Sequence, residues 1–348
     1  MTSFKNVNLI KGSGMMWLGK RGKKALILGT AAAIGAGTTF AVIPALAQAT
    51  ISGAGGSFAG AFYLRTFAGV ANKVRVNYQA VGSGAAVRQY VAGTVDFGAS
   101  DEPIKAKEAA KVKRGVIQFP AVGGTIAIAY NKADCKNLKL TQQQAVDIFL
   151  GKINTWDQLK CGKGKITVVH RSDGSGSTFA LTNSLSAFSS EWKSKVGVGK
   201  SVKWPVGVGG KGSEGAAGMV QNTPGAITYV NQTFVRGVMK AAALQNKAGK
   251  FVLPTEASGS AALNNIRLDA NLAGVEPNPA GANSYPISTL TWILAYRTGN
   301  GDKAPAIREA LLALLTPQAQ GQASSLGFAP LRSDILAASK KAVSQIGR

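Results

Sequence analysis

The chain has 348 residues, enough for two domains of ordinary size and a sizeable core. With 45% apolar and 16% charged residues, and with 43 Gly that follow no three-residue period, it is neither intrinsically disordered nor collagen-like. Forty Lys and Arg face sixteen Asp and Glu, a net charge of +24 that points to an anionic partner or anionic surroundings, while two Cys and one His exclude a dense disulfide scaffold, a zinc cluster and most His-based metal sites.

Residues 1–49 read as a cleavable secretory leader. Lys5, Lys11, Lys20, Arg21, Lys23 and Lys24 come without an acid, and an apolar run rich in Ala and Gly follows over 25–42. Pro44 and the small-residue sequence Ala47-Gln48-Ala49 then mark cleavage after Ala49. The alternative is a permanent membrane anchor, because the run is almost long enough to span. Its Gly and Thr content and the placement of the cleavage site favour the leader. No Cys follows the run, so nothing supports a lipid anchor. Cleavage would remove six basic residues and no acid, leaving a chain that is still strongly basic.

After residue 50 the pattern repeats: a short apolar strand, a Gly/Ser-rich turn, an amphipathic helix. Ser52-Gly53-Ala54-Gly55-Gly56-Ser57 precedes a helix expected to carry Phe58, Ala61, Phe62 and Ala68 on one face. Alternating Val74, Val76 and Tyr78 predict a strand, and Val81-Gly82-Ser83-Gly84 turns into a helix over 85–92. Val95-Asp96-Phe97-Gly98-Ala99 is strand-like and breaks at Ser100-Asp101-Glu102-Pro103. Thr141 with Gln144 forms a capping box, and Gly151 is the expected stop of that helix. Cys135 and Cys161 bracket it. An oxidising compartment favours joining them, the alternative being two separate buried thiols. Ile166-Thr167-Val168-Val169 predicts another strand, and Ser172-Asp173-Gly174-Ser175-Gly176-Ser177 leads into a helix from about Thr178. Strands alternating with helices indicate an α/β fold. No charge run or low-complexity linker marks a domain boundary.

The turns at 53–57, 82–84, 100–103 and 172–177 share a chemistry. Each is expected to open onto a helix, whose first N–H groups and positive dipole end suit an oxyanion. Gly admits a ligand close to the backbone, and Ser hydroxyls add donors or cap the helix. A plain capping turn explains any one of them; four in one exported chain point to a shared ligand. Arg171 could pair bidentately with a tetrahedral oxyanion, or form a salt bridge with Asp173, and both roles can coexist. Asp101 in an anion pocket makes sense for a protonated anion, whose O–H it can accept, and it repels one with no proton. At neutral pH phosphate carries a proton and sulfate does not.

These residues resemble the periplasmic phosphate-binding proteins of bacterial high-affinity phosphate ABC transporters. The resemblance covers nearly all of 51–331. It runs through Gly53-Ala54-Gly55-Gly56-Ser57-Phe58, Asn77-Tyr78-Gln79 with Gly82-Ser83, Val95-Asp96-Phe97-Gly98-Ala99-Ser100-Asp101, Phe119-Pro120, and Gly151-Lys152-Ile153 with Trp156. It continues through Arg171-Ser172-Asp173-Gly174-Ser175-Gly176-Ser177, Lys203-Trp204-Pro205, Gly209-Gly210-Lys211-Gly212, Pro224-Gly225-Ala226-Ile227 and Tyr285-Pro286-Ile287. Carried over by motif, Ser57, the Phe58 N–H and Ser83 would bind phosphate, and Asp101 would take its proton. Arg171, held by Asp173, would pair with the anion, and Ser175, the Gly176 N–H and Ser177 would complete the cage. Ser57 stands where the family usually has Thr, and only Ser83 supplies a hydroxyl in the second turn. The high positive charge and the two cysteines are not part of the familiar pattern.

The resemblance also implies the fold: α/β, two-lobed, periplasmic-binding-protein type II-like, with the ligand cleft between lobes joined by two crossing strands. Lobe one would comprise 50–123 and 289–348, and lobe two 124–288, with crossings near Gly123-Gly124-Thr125 and Ile287-Ser288. It implies a monomer that binds inorganic phosphate and delivers it to the membrane permease of an ABC importer, itself coupled to ATPase subunits, with no cofactor, metal or catalytic residue. Three rivals compete. A secreted phosphatase or serine hydrolase would need more than His170, the one imidazole, which lies too close in sequence to Ser172 to imply a triad. A nucleic-acid binder is motivated by charge alone, without a motif. A surface or appendage protein on the same fold is the third.

Overall fold

The computed structural model describes residues 48–348, so the predicted leader lies, but for Gln48 and Ala49, outside the described residues. Strand β1 (Thr50–Gly55) leads to α1 (Gly60–Gly69), β2 (Arg75–Ala80) to α2 (Ser83–Ala92), and β3 (Phe97–Ser100) to the single turn α3 (Ala106–Ala109). The long strand β4 (Val116–Tyr130) is followed by β5 (Lys139–Leu140) and α4 (Gln142–Leu150). Then come β6 (Thr167–Arg171), α5 (Gly176–Phe188), α6 (Ser190–Lys195), β7 (Val208–Gly210), α7 (Gly212–Gln221) and β8 (Ala226–Asn231). Short strands β9 (Lys240–Ala241), β10 (Ala243–Gln245) and β11 (Phe251–Val252) precede α8 (Glu256–Leu263). The chain closes with β12 (Ser288–Tyr296), α9 (Ala304–Ala313), α10 (Pro317–Ser325) and α11 (Ser333–Ser344).

The main sheet runs β2-β1-β3-β12-β4-β8-β6-β7, with β9 also on β4; β11-β10-β5 form a small second sheet. Its two ends are parallel, β1 with β2 and β3, and β6 with β7 and β8. The middle is antiparallel. β12 pairs with β4 from Tyr296 opposite Val116 to Ser288 opposite Thr125, and from Ile126 onward β4 pairs with β8 instead. One strand thus carries the chain from one parallel group to the other, which is the two-lobed α/β architecture expected. All but the first of its 15 residues are buried, consistent with a strand covered on both faces. Just before the handover, at Gly123, a side chain would sit 2.1 Å from the tip of Leu263 in α8, so the absence of a side chain lets that helix pack close to the strand.

The core is aromatic as well as aliphatic. Trp156, Trp192 and Trp292 are fully buried, and each indole N–H reaches a carbonyl: Gly225 at 3.1 Å, Gly197 at 3.1 Å and Leu272 at 2.7 Å. The capping box of α4 forms as expected, with the Thr141 hydroxyl accepting from the Gln144 N–H and Gly151 ending the helix at φ 79°. Cys135 and Cys161 are joined by a disulfide across that helix. Among the described residues no helix is long and apolar enough to cross a membrane.

Three local expectations shift. Phe58 precedes α1 instead of sitting on it, and Ala61 and Ala68 are exposed; the helix buries Phe62, Tyr63, Thr66 and Phe67, because large rings outcompete alanine for the core. Helices α2 and α5 begin at Ser83 and Gly176, two residues earlier than predicted. The turn after β3 does not open directly onto a helix. Pro103 to Lys105 intervene before α3, so Asp101 is held by side chains and not by a helix end.

Candidate functional site

Five strand-to-helix connections meet at one place, and the hydrogen bonds between them define it. In the first, Ser57 is 1% exposed, and its hydroxyl accepts from the Ser213 N–H at 2.9 Å and lies 2.9 Å from the Ser213 hydroxyl. The Phe58 backbone follows on the way into α1, its ring packed edge-on against Phe328. In the second, Gly82 adopts φ 85°, where a side chain would strike Asp173, and Ser83 opens α2 fully buried. The Gly84 N–H then donates to the Gly174 carbonyl at 2.8 Å, stitching the second turn to the fourth.

The third connection carries Asp101, 2% exposed. Its N–H donates to the Ser83 hydroxyl at 3.3 Å, which lies 3.5 Å from Asp101 Oδ2, and Thr289 Oγ1 donates to its carbonyl. Oδ1 is buried with no hydrogen-bond partner. Burial pushes this carboxyl up to about 6, and neighbouring hydroxyls and the charges of Arg171 and Lys200 offset only part of that rise.

The fourth connection holds the cation. Arg171 ends β6, 4% exposed, and grips Asp173 through Nε to Oδ1 at 2.7 Å and an Nη to Oδ2 at 2.5 Å. Its other terminal nitrogen donates to the Ser213 hydroxyl at 3.3 Å, and its N–H to the Tyr229 hydroxyl at 3.0 Å. Burial raises the Asp173 carboxyl, but the Arg171 hydrogen bonds and charge, with the Gly212 N–H at 3.0 Å, outweigh it and hold the pKa below the usual range. Ser175 caps α5 by accepting from the Thr178 N–H, while the Ser177 hydroxyl is buried and unpartnered. A methyl on Gly176 would lie 2.5 Å from the Asp101 carboxylate and 2.7 Å from the Ser83 hydroxyl. Ser57, Ser83, Asp101, Arg171, Asp173, Ser175, Gly176 and Ser177 are therefore brought together. A guanidinium, hydroxyls, helix N-termini and one carboxylate can hold a small anion that carries a proton.

Ser213, Glu102 and Lys200 escape the sequence reading. Ser213, fully buried at the start of α7, joins Ser57 to Arg171; its signal is the fifth Gly-rich turn, Gly209-Gly210-Lys211-Gly212. Glu102 and Lys200 form a buried ion pair of 2.7 Å beside Asp101, and Lys105 reaches the same carboxylate at 3.3 Å. Nothing in the sequence announces that pair. His170 stacks on Trp204 at 5.0 Å with Nδ1 3.2 Å from the Arg171 carbonyl, a packing role beside the site.

Comparison with known proteins places the chain in a family. Residues 38–315 match the family model of the PBP superfamily domain. The chain is 39% identical to the phosphate-binding protein PstS of Pasteurella multocida, over 82% of this chain and 88% of that protein. It is 40% identical to PstS of Xylella fastidiosa, over 81% of each. Among solved structures it superposes on a high-affinity periplasmic phosphate-binding protein, PfluDING, bound with phosphate, at TM-score 0.73 and 22% identity, covering 86% of this chain and 99% of that one. The phosphate-binding protein from Stenotrophomonas maltophilia gives 0.69 and 19%, covering 84% and 93%. At such identities the two structures attest to the fold, while the sequence relatives carry the kinship: the chain belongs to the PBP superfamily and, within it, to the family of the PstS phosphate-binding proteins.

Proposed function

We propose that the chain is the solute-binding component of an ABC importer, capturing inorganic phosphate outside the cytoplasmic membrane and delivering it to a membrane permease. The observation that carries this reading is the pair of buried, unpartnered oxygens, Asp101 Oδ1 and Ser177 Oγ, beside the braced guanidinium of Arg171. An unpaired buried polar atom costs about 1–3 kcal/mol, so a site that leaves two of them is built for a partner. A hydrogen phosphate ion supplies both needs, an O–H for the carboxylate and oxygens for the hydroxyl and the guanidinium.

The roles follow residue by residue. Ser57, the Phe58 N–H and Ser83 donate from one lobe, and Asp101 accepts the ligand proton. Arg171, oriented by Asp173, neutralises charge from the other lobe, with Ser175, the Gly176 N–H and Ser177 closing the cage. Lobe one takes 50–123 and 289–348, lobe two 124–288, and the ligand bridges them, so that binding favours the closed arrangement. The family match supports a binding role in place of catalysis, and the leader motif supports export to the periplasm. His170, stacked on Trp204 and turned to the Arg171 carbonyl, has a packing role beside the site. Calorimetry with phosphate, sulfate and nitrate tests the reading. One phosphate per chain with no heat from the other two anions is the expected result; absence of phosphate binding would overturn it.

A further inference from the structure

Two features stand outside phosphate binding: the excess of positive charge and the disulfide. The structure connects them. The disulfide clamps the loop Lys132-Ala133-Asp134-Cys135-Lys136 against the loop Lys160-Cys161-Gly162-Lys163-Gly164-Lys165, with 5.0 Å between the two Cα atoms. Lys240 reinforces the clamp from β9, donating to the carbonyls of Lys132, Ala133 and Cys135 at 3.1–3.2 Å. Lys132 is spent on Asp134 at 2.9 Å. Lys136, Lys139, Lys160, Lys163 and Lys165 are all exposed, and among the described residues none has an ion-pair partner. The one further acid on these loops is the exposed Asp157. Some exposed lysines elsewhere do find acids, as Lys73 with Glu309, Lys152 with Glu191 and Lys303 with Asp96, whereas Lys193, Lys340 and Lys341 stand exposed without an ion-pair partner among the described residues but far apart from this cluster in sequence.

The small second sheet extends this cluster with apolar side chains. β5 places Lys139 beside Ala243 of β10, and its Nζ sits 5.9 Å over the ring of Phe251 in β11. The β10–β11 turn adds exposed Lys247 and Lys250. Phe251 is 41% exposed and Leu253 53%, two large apolar side chains two residues apart that stand next to these lysines.

We propose that this disulfide-braced lysine cluster, with Phe251 and Leu253, is a docking surface for an anionic phospholipid bilayer. Lysine is a compact point charge that suits headgroups free to rearrange around it, and each one near an anionic surface adds to the attraction. Apolar side chains among such cations are the composition of an interfacial anchor, which rests in the headgroup region without spanning. A nucleic acid would favour arginine and several stacking rings; the cluster has no arginine and one ring. Like charges on neighbouring loops repel, and the disulfide holds them together at fixed spacing. The surface does not depend on the phosphate reading, because none of these residues belongs to the anion site.

Sedimentation of the oxidised protein with sonicated vesicles tests the proposal, with thermal melting to confirm that each variant is folded. The protein should bind vesicles containing phosphatidylglycerol and not vesicles of phosphatidylcholine alone. The triple variant Lys136→Glu/Lys160→Glu/Lys163→Glu should lose affinity by about a hundredfold at low salt. The triple Lys193→Glu/Lys340→Glu/Lys341→Glu, with the same change in net charge elsewhere, should change it by less than about threefold. Phe251→Ser should abolish whatever binding survives high salt, since only the apolar contact resists screening. Equal losses in the two triples would mean generic charge and overturn the proposal. So would absence of binding to the anionic vesicles, including the case in which a single-stranded oligonucleotide binds through the same lysines.

Discussion

The two sides of the proposed anion site are built on opposite principles. On the Arg171 side, the charged group is satisfied within the protein: two short hydrogen bonds to Asp173, one to Ser213, and Gly212 bracing Asp173 in turn. On the Asp101 side, one carboxylate oxygen has no partner at all, and burial makes its charge costly. A guanidinium already locked in place loses little freedom when a ligand arrives, so that side supplies orientation. A carboxylate that lacks a donor rewards a ligand that brings one, so the other side supplies choice. On the proposed reading, affinity and selectivity would therefore be separable, residue by residue.

The largest effect should come from breaking the selective side. Sulfate has no proton to offer Asp101, and a buried site built to use a ligand hydrogen rejects the analogue lacking it by about 10⁴-fold. Asp101→Asn keeps the size, removes the charge and can present an amide donor. The variant should retain phosphate binding and gain sulfate binding measurable by competition titration. If sulfate remains fully excluded, Asp101 is not the discriminating group.

The same residue predicts a pH effect on the ligand-free protein. Its carboxyl sits at about 6 when folded against 3.8 in the unfolded reference, so between those values the folded state holds a proton that the unfolded chain has released. Stability should therefore fall as pH rises from about 4 to about 6, by about 3 kcal/mol in total, the worth of a two-unit shift at 1.36 kcal/mol per unit. Below pH 4 both states are protonated and this penalty is absent. Urea melts of the wild type and Asp101→Asn across that window should diverge, and parallel curves would show that Asp101 titrates as an ordinary carboxyl. Breaking the orienting side acts on affinity instead. Arg171→Ala removes a charge-assisted pair worth about 1.5–3 kcal/mol, so phosphate should bind about 10- to 150-fold more weakly. Calorimetry reads this directly, and unchanged affinity would move the site elsewhere.

How much of this was legible in the sequence follows the same division. Arg171, Asp173, Ser175 and Ser177 lie within seven residues of one turn, so composition and spacing expose them together. Asp101 was found because an acid among Gly/Ser turns is chemically out of place. Glu102 and Lys200 were not, since their 2.7 Å contact joins loops nearly a hundred residues apart and neither residue type is unusual locally. The fold was legible in its alternation of strand and helix, and the cysteine pair in its bracketing of α4. The buried face of α1 was misread because periodicity weighs alanine with phenylalanine, whereas burial of area favours the rings. Register was out of reach altogether. The resemblance suggests a crossing near Gly123-Gly124-Thr125, but the residue-by-residue pairings by which β4 exchanges β12 for β8 at Ile126 are not marked in the sequence.

The smallest predicted effect lies where the two sides touch. Ser213 accepts from Arg171 at 3.3 Å and presents both its N–H and its hydroxyl to Ser57 at 2.9 Å, so one residue ties the orienting side to a donor of the other. Ser213→Ala keeps the N–H contact and removes the hydroxyl. One hydrogen bond is worth about 1 kcal/mol net, which corresponds to roughly fivefold in affinity. If Ser213 links the closed arrangement, the loss should appear as faster phosphate release, because the contact exists only when the two sides meet, and association should be little changed. Ser213→Thr, which restores a hydroxyl, should recover most of the affinity. A purely structural role predicts another pattern: a lower melting temperature without ligand, with release and association rates both unaltered. Stopped-flow measurement of the two rates, beside a thermal melt of the ligand-free variant, separates these outcomes.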